Sequence, residues 1–330
     1  MESIKIVNKK KQINIIIPCY NESKNVISIV NEIDLYMKIL EYDYEFIFVD
    51  DGSTDNTYGE IINLSKKRDD INIIKLSRNF GKESAICVGL SFCDSDAAII
   101  LDADLQHPPY FLPLLISEWE KGANIVDAVK IKRDGENIIR RIFSFVFHKI
   151  MNILTNMDFA GASDYKLLDS KAINIMNNLN EKNRFFRGLT NWIGLKHIKV
   201  EYQVDNRIAG KSKWSWTNLI KLSLDAIISY TSKPLYIVTF LGLFTFIFSV
   251  ILGLQTIYDK ICGNAVSGFA TVILTILILS SIIMISIGIL GLYLSKIYNE
   301  VKNRPIYIIE EYKKSCETIE NKAYYTERLK

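Results

Sequence analysis

Cysteine and histidine are scarce: the 330 residues hold five cysteines, Cys19, Cys87, Cys93, Cys262 and Cys316, and three histidines, His107, His148 and His197. No cysteine pair has CxxC or zinc-ligand spacing, and the odd, scattered set points to reduced thiols, small buried apolar residues facing a cytosolic compartment. His148 and His197 have no partners at metal-ligand spacing, and His107 reads as structural. The charge excess is only +3, which gives no grounds for nucleic acid as a partner, although basic residues cluster between 130 and 234. A secretory signal is missing, because the opening "MESIKIVNKKKQINIIIPCY" offers only a few apolar residues before Pro18. No GxGxxG follows the first apolar run, which excludes a nicotinamide dehydrogenase. "AGKS" is no P-loop either, since the required glycine five positions before Gly210 is Asp205.

What is present is alternation. "INIIIPCY", "YEFIFVDDGS", "INIIKLSRN" and "DAAIILDAD" read as apolar strands, separated by segments of helical period from Asn21, Thr54 and Gly81 onward. Asn21 or Ser23 is placed to cap the first helix. This rhythm predicts an α/β fold, a mostly parallel sheet with helices on both faces, whose ligands bind beyond the carboxyl ends of the strands. Further helices are expected around 110–121 and 137–156, and a strand near 196–203.

Long apolar runs appear only late. Residues 235–258 and 265–295 carry no charge, and each exceeds the ~20 residues needed to cross a bilayer. The connector "DKICGN" is short, so the two form a hairpin with both outer ends on one side. Lys211, Lys213, Lys221 and Lys233 before it and Lys296, Lys302 and Arg304 after it, against Lys260 in the connector, put that side in the cytoplasm. Residues 211–234 are expected as a juxtamembrane amphipathic segment, either in the membrane plane or packed on the preceding domain. The chain thus divides into a cytoplasmic domain at 1–210, that segment, two transmembrane helices and a cytoplasmic tail at 296–330 whose charged residues carry no readable signal.

The strand ends are acidic. Asp102 and Asp104, in "DADLQHPP", are expected to point the same way by strand alternation and to raise each other's pKa. A hard divalent cation, Mg²⁺ or Mn²⁺, shared with substrate phosphates resolves the repulsion, and Gln106 adds an oxygen or holds a water. The alternative is a solvated turn. Asp51 in "VDDGSTDNT" accepts from a nucleobase or ribose, or merely shapes a turn, and "PCYNES" is a turn or a base-binding loop with Tyr20 available to stack.

The ordered set "IPCYNES", "FVDDGSTDNT", "LSRNFGKESAICVGL" and "DADLQHPP" resembles the GT-A nucleotide-sugar glycosyltransferases of family 2. "GASDYKLLD", "NRFFRGL" and "RIAGKSKWSW" followed by two apolar spans narrow the resemblance to the polyprenyl-phosphate glycosyltransferases. That group includes dolichyl-phosphate mannose synthase and the bacterial bactoprenol glucosyltransferases, and the likeness covers roughly 13–300. It implies that Pro18, Tyr20, Glu22 and Asp51 hold the nucleoside, that Asp102, Asp104 and Gln106 hold metal and diphosphate, and that Arg207 and Lys213 contact phosphates. Lys130 stands where relatives often have arginine, so Arg133 carries more of the phosphate grip. Arg140 and Arg141 are an acceptor-phosphate contact, a solvated face or a headgroup anchor. Asp164 matches the acid often assigned as catalytic, there to orient the acceptor or take up a residual proton; the alternative is a helix cap before "YKLL".

The implied reaction is inverting transfer of a sugar, glucose from UDP-glucose, to a polyprenyl phosphate such as undecaprenyl phosphate at the cytoplasmic face of a bacterial plasma membrane. GDP-mannose, UDP-galactose and an aminosugar donor stay open. A lipid phosphate is mostly dianionic at cytoplasmic pH, so a strong base is less necessary than for a hydroxyl acceptor, and Arg133, Arg140, Arg141, Arg207, Lys211 and Lys213 are available to offset the approach of two anions. A processive polysaccharide synthase of the same fold would carry QxxRW, and none of Gln12, Gln106, Gln203 or Gln255 starts that pattern. A non-catalytic membrane scaffold would show a degenerate rim, whereas all three strand-end motifs are intact. No motif encodes oligomeric state, and a homo-oligomer is compatible with the sequence.

Overall fold

The computed structural model describes residues 10–130, 149, 152–153, 163–179, 181–182, 184–202, 227–228, 231–263 and 268–314. Arg133, Arg140, Arg141, Arg207, Lys211 and Lys213 lie outside these residues, as do most of the segment at 211–234 and of the helix expected at 137–156. The chain forms two compact units, one around a sheet and one around the two long apolar helices.

The sheet has eight strands: β1 (Gln12–Cys19), β2 (Asp43–Asp50), β3 (Ile71–Leu76), β4 (Ala97–Ile100), β5 (Ile125–Lys130), β6 (Lys166–Asp169), β7 (His197–Tyr202) and β8 (Ile309–Lys313). Their order is β7-β5-β6-β4-β1-β2-β3-β8. β4, β1, β2 and β3 are parallel neighbours, β5 and β7 are parallel to each other, and β6 and β8 run against the strands they flank. The expected mostly parallel α/β architecture is thus present. The helices of this unit are α1 (Val26–Met37), α2 (Thr57–Ser65), α3 (Lys82–Ser91), α4 (Leu112–Glu120), α5 (Ser170–Asn178) and α6 (Phe186–Trp192).

β1 explains why these strands lack polar alternation. Ile13, Ile15 and Ile17 join the core formed with Val26, Ile29, Val30 and Ile33 of α1 and Leu112 and Leu115 of α4. Those four α1 residues recur at helical spacing, one apolar stripe. Ile16 points the other way, onto α3, where a Cβ added to Gly89 would lie 2.3 Å from its Cγ2. Both faces are therefore covered, and a strand buried on both faces reads as a continuous apolar run.

Three strands depart from the sequence reading. No sequence pattern separates β5 and β6 from their surroundings, and their contact carries a fully buried ion pair between register partners, Lys166 Nζ to Asp127 Oδ1 at 2.6 Å. His197 on β7 brings Nε2 to 3.0 Å from the other Asp127 oxygen. β8 lies in the stretch expected to be a featureless tail and closes the β3 edge. Edge strands invite aggregation when left bare, and β8 protects this one. The helix-cap alternative for Asp164 is overturned, because residues 166–169 form a strand. The cap of the following helix is Asp169, whose Oδ1 accepts from Ala172 N at 2.7 Å. Neither Asn21 nor Ser23 caps α1, which begins at Val26 after Asn25.

The second unit contains α7 (Lys233–Ile261) and α8 (Phe269–Val301). Both are long and apolar enough to cross a membrane, with mean hydropathies of 2.5 and 2.8 in their most apolar windows, and neither window is buried within the protein. Several serine and threonine hydroxyls inside them bond within their own helix, as in Ser281 Oγ to Leu277 O and Ser286 Oγ to Ile282 O, both 2.8 Å. That is what a lipid-exposed segment needs, where no water is at hand to pair a polar group.

Candidate active site

The first two strand ends are laced together. Asn21, in the left-handed region at φ 57°, accepts at Oδ1 from Thr54 N at 2.8 Å and Asp55 N at 3.3 Å. Its own N–H donates to Ser53 Oγ at 3.0 Å, and Glu22 N donates to Thr57 Oγ1 at 2.8 Å. Gly52, at φ +66°, packs on the third loop so closely that a Cβ would lie 2.4 Å from the Arg78 carbonyl carbon. Asp51 completes the lacing: Oδ1 accepts from Phe80 N at 2.7 Å and Oδ2 from Gly81 N at 2.9 Å. Burial pushes the Asp51 pKa up, and those two amides pull it part of the way back.

These loops wall a cavity of about 340 Å³. Pro18, Tyr20, Glu22 and Asp51, all expected at a nucleoside, line it together with Asp102 and Asp104. Tyr20 is 45% exposed, so its ring face is available to stack. Gln106 is not in the wall; it is exposed, and its backbone N–H donates to Asp104 Oδ1 at 3.0 Å. The reason the two acids share the cavity also differs from the expectation. β4 ends at Ile100, so Asp102 and Asp104 project from a turn, with Leu105 at φ 58°, and strand alternation plays no part. Glu22 faces the same pair. Burial raises its pKa, Asn25 donating at 2.6 Å lowers it, and the charges of Asp104 and Asp102 add to the rise.

Sequence reasoning missed the cations that meet these acids. Lys82, the first residue of α3, places Nζ 2.6 Å from Asp102 Oδ1 and 2.7 Å from both Asp102 Oδ2 and Asp164 Oδ2. Arg187 on α6 grips Asp164 with two prongs, Nε to Oδ1 at 2.6 Å and Nη2 to Oδ2 at 2.8 Å. Burial would raise the Asp164 pKa, but Arg187 and Lys82 outweigh it and hold the carboxyl well below the usual range. Burial depresses the Lys82 ammonium, and Asp102 and Asp164 reverse this to a net rise. Glu83 anchors α6 from α3, accepting at Oε2 from Phe186 N at 2.8 Å. Burial, then the neighbouring Asp164 charge, raise its pKa to about 7. His107 stacks on Tyr165 with ring centroids 5.3 Å apart and brings Nδ1 to 3.5 Å from Asp102; burial lowers its pKa. Lys82 and Arg187 both sit in motifs conspicuous in the sequence, "GKES" and "NRFFRGL". Only the fold, however, reveals that a lysine 82 positions before Asp164 shares its carboxylate.

Among the described residues no group of three or more His, Cys, Asp or Glu side chains is set to hold a metal ion. Asp102 and Asp104 nonetheless fit a hard divalent ion, since Mg²⁺ typically takes one or two carboxylates and fills its shell with substrate phosphate and water. Both acids border a cavity with space for those further ligands.

Residues 14–171 match the family described as Glycosyl transferase family 2. CsbB of Bacillus subtilis (strain 168) is 38% identical over 306 residues, 92% of each chain. The prophage-derived bactoprenol glucosyl transferase of Shigella flexneri is 34% identical over 303 residues, 91% of this chain and 98% of its own. The Escherichia coli (strain K12) prophage bactoprenol glucosyl transferase homolog is 35% identical over 306 residues, 92% of this chain and 100% of its own. Among solved structures, a glucosyl-3-phosphoglycerate synthase from Mycobacterium tuberculosis in complex with Mn²⁺, UDP-glucose and phosphoglyceric acid is similar, with a TM-score of 0.45 at 18% identity, covering 66% of this chain and 78% of that one. With relatives more than a third identical across nine-tenths of its length, and the family matched over the region that contains Asp51, Asp102 and Asp104, the chain belongs to glycosyltransferase family 2.

Proposed function

We propose that this glycosyltransferase moves glucose from UDP-glucose to a polyprenyl phosphate, undecaprenyl phosphate in a bacterium, at the cytoplasmic face of the membrane. The observation that carries the reading is one chain joining a cavity edged by Asp102 and Asp104 to two helices long and apolar enough to span a bilayer. A soluble acceptor would need no such helices. Relatives named bactoprenol glucosyl transferases support this choice of acceptor class and sugar.

The acceptor's phosphate oxygen attacks C1 of the glucosyl group, the bond from C1 to the diphosphate oxygen breaks with inversion, and UDP leaves. A phosphate monoester with its second pKa near ~6 arrives already deprotonated, so the step needs no strong base. Asp164 suits that chemistry. Held as an anion by Arg187 and Lys82, it is a poor proton acceptor and a good support for the two cations. Asp102 and Asp104 would hold Mg²⁺ or Mn²⁺, which when bound would offset the negative charge that builds on the departing diphosphate. Tyr20 stacks on the base, and Pro18, Glu22 and Asp51 complete the nucleoside wall. Gln106 supports the Asp104 turn. Lys130, Arg133, Arg140, Arg207 and Lys213 bring the lipid phosphate and donor together against their mutual repulsion.

The test is a donor screen. Membranes containing the chain, supplied with undecaprenyl phosphate, are offered UDP-glucose, UDP-galactose and GDP-mannose, each labelled in the sugar. Label from UDP-glucose passing into organic-extractable lipid is expected. Label from GDP-mannose alone makes the chain a mannosyltransferase, insoluble polymer makes it a processive synthase, and no transfer refutes catalysis on this acceptor.

A further inference from the structure

Lys82 lies on Asp102, one of the two acids that fit a divalent ion. Its ammonium contacts both oxygens of Asp102, at 2.6 and 2.7 Å, and also Asp164 Oδ2 at 2.7 Å. A divalent ion approaching Asp102 therefore meets a cation already bound to the same oxygens, and like charges at that distance repel strongly. Asp164 would keep a partner on each oxygen without Lys82, because Arg187 spans both. Lys82 is thus the spare cation of the cluster. Its position suits movement. It is the first residue of α3, it follows Gly81 at φ +96°, around which a Cβ would meet nothing within 4 Å, and it borders the cavity. Lysine is a point charge on a flexible stem, able to follow an anion without losing a fixed geometry.

We infer that Lys82 is an exchangeable counter-ion that keeps the metal site closed until a nucleoside diphosphate enters. The diphosphate draws the ammonium away from Asp102, the freed carboxylate accepts the divalent ion, and Lys82 becomes a positioning contact on the diphosphate. Metal and donor consequently bind as partners, each weak without the other. This rests on the glycosyltransferase reading above and adds the order in which the site assembles.

The test uses the full chain in detergent, with free Mn²⁺ measured by electron paramagnetic resonance in titrations with and without UDP. Wild type is expected to bind Mn²⁺ alone weakly and at least about tenfold more tightly with UDP present, a coupling of about 1.4 kcal/mol or more. Lys82→Gln is expected to bind Mn²⁺ alone at least about tenfold more tightly than wild type and to bind UDP in Mn²⁺ more weakly, so that the coupling collapses. Lys82→Arg keeps the charge and is expected to keep Mn²⁺ alone weak; this variant carries the test if Lys82→Gln does not fold. Mn²⁺ affinity unchanged in Lys82→Gln, or tightened equally in Lys82→Arg, overturns the counter-ion role while leaving the glycosyltransferase reading intact. A wild-type chain that binds no Mn²⁺ even with UDP removes both.

Discussion

Replacing Asp164 by asparagine separates support from base catalysis. The wild-type carboxylate accepts three charge-assisted hydrogen bonds, at 2.6 and 2.8 Å from Arg187 and 2.7 Å from Lys82. The amide keeps one acceptor and turns an NH₂ group toward donors. Removing one partner of a buried ion pair costs about 3–5 kcal/mol, because the other charge is left uncompensated. Here the Arg187 and Lys82 side chains are 39% and 38% exposed, and water takes up part of the deficit. About 2–3 kcal/mol therefore remains, which for a domain of this size lowers Tm by about 5–10 °C. Asp164 has its pKa depressed in the fold, so its contribution is present above the unfolded value near ~3.9 and disappears only as pH falls through the folded one. The assay is a thermal melt of the full chain in detergent at about pH 5.5, where Asp164 is charged and Glu83 is still protonated. It is paired with the pH profile of kcat/KM. The expected profile for Asp164→Asn is lowered but parallel to wild type. An unchanged Tm, or a rate deficit that vanishes as pH rises, would refute the supporting role.

Three further outcomes follow from the same contacts. Lys166→Met removes the ammonium from buried Asp127 and leaves it only the His197 contact, and is expected to cost about 3–5 kcal/mol in chemical denaturation, partly restored by adding Asp127→Asn. Glu83 has its pKa raised to about 7, so the folded state holds a proton that the unfolded state has lost. Wild-type Tm should therefore fall as pH rises from about 5 to about 8, and Glu83→Gln should flatten that slope. Gly52→Ala places a Cβ where the Arg78 backbone already lies, at a positive φ, and should lower stability by about 2–3 kcal/mol in the same melts.

The first four strands were legible because each is an apolar run buried on both faces, as Ile13 to Ile17 show. The two long helices were legible for the same reason carried further. β5, β6 and β8 were not. β6 is four residues long and contains Lys166, whose charge makes sense only opposite Asp127, 39 positions away. β8, "IEEYK", reads as a charged tail because an edge strand buries little of itself. That Pro18, Tyr20, Glu22, Asp51, Asp102 and Asp104 share one cavity was legible from the order of the strand-end motifs. The sequence reading expects a divalent ion at Asp102 and Asp104, and could not show that the Lys82 ammonium lies on Asp102 from within the protein. Arg187, Glu83 and Asp164 converge from three elements, and no local pattern marks them as neighbours.

The most direct measurement is phosphorus NMR of the purified chain in nanodiscs with undecaprenyl phosphate, UDP-glucose and Mg²⁺. The lipid monoester signal should give way to a phosphodiester signal in step with the appearance of UDP. Chelator should stop the change, and Asp102→Asn or Asp104→Asn should slow it at least about 100-fold. UDP appearing while the lipid monoester persists, or conversion undiminished in chelator, would contradict a metal-assisted transfer onto lipid phosphate.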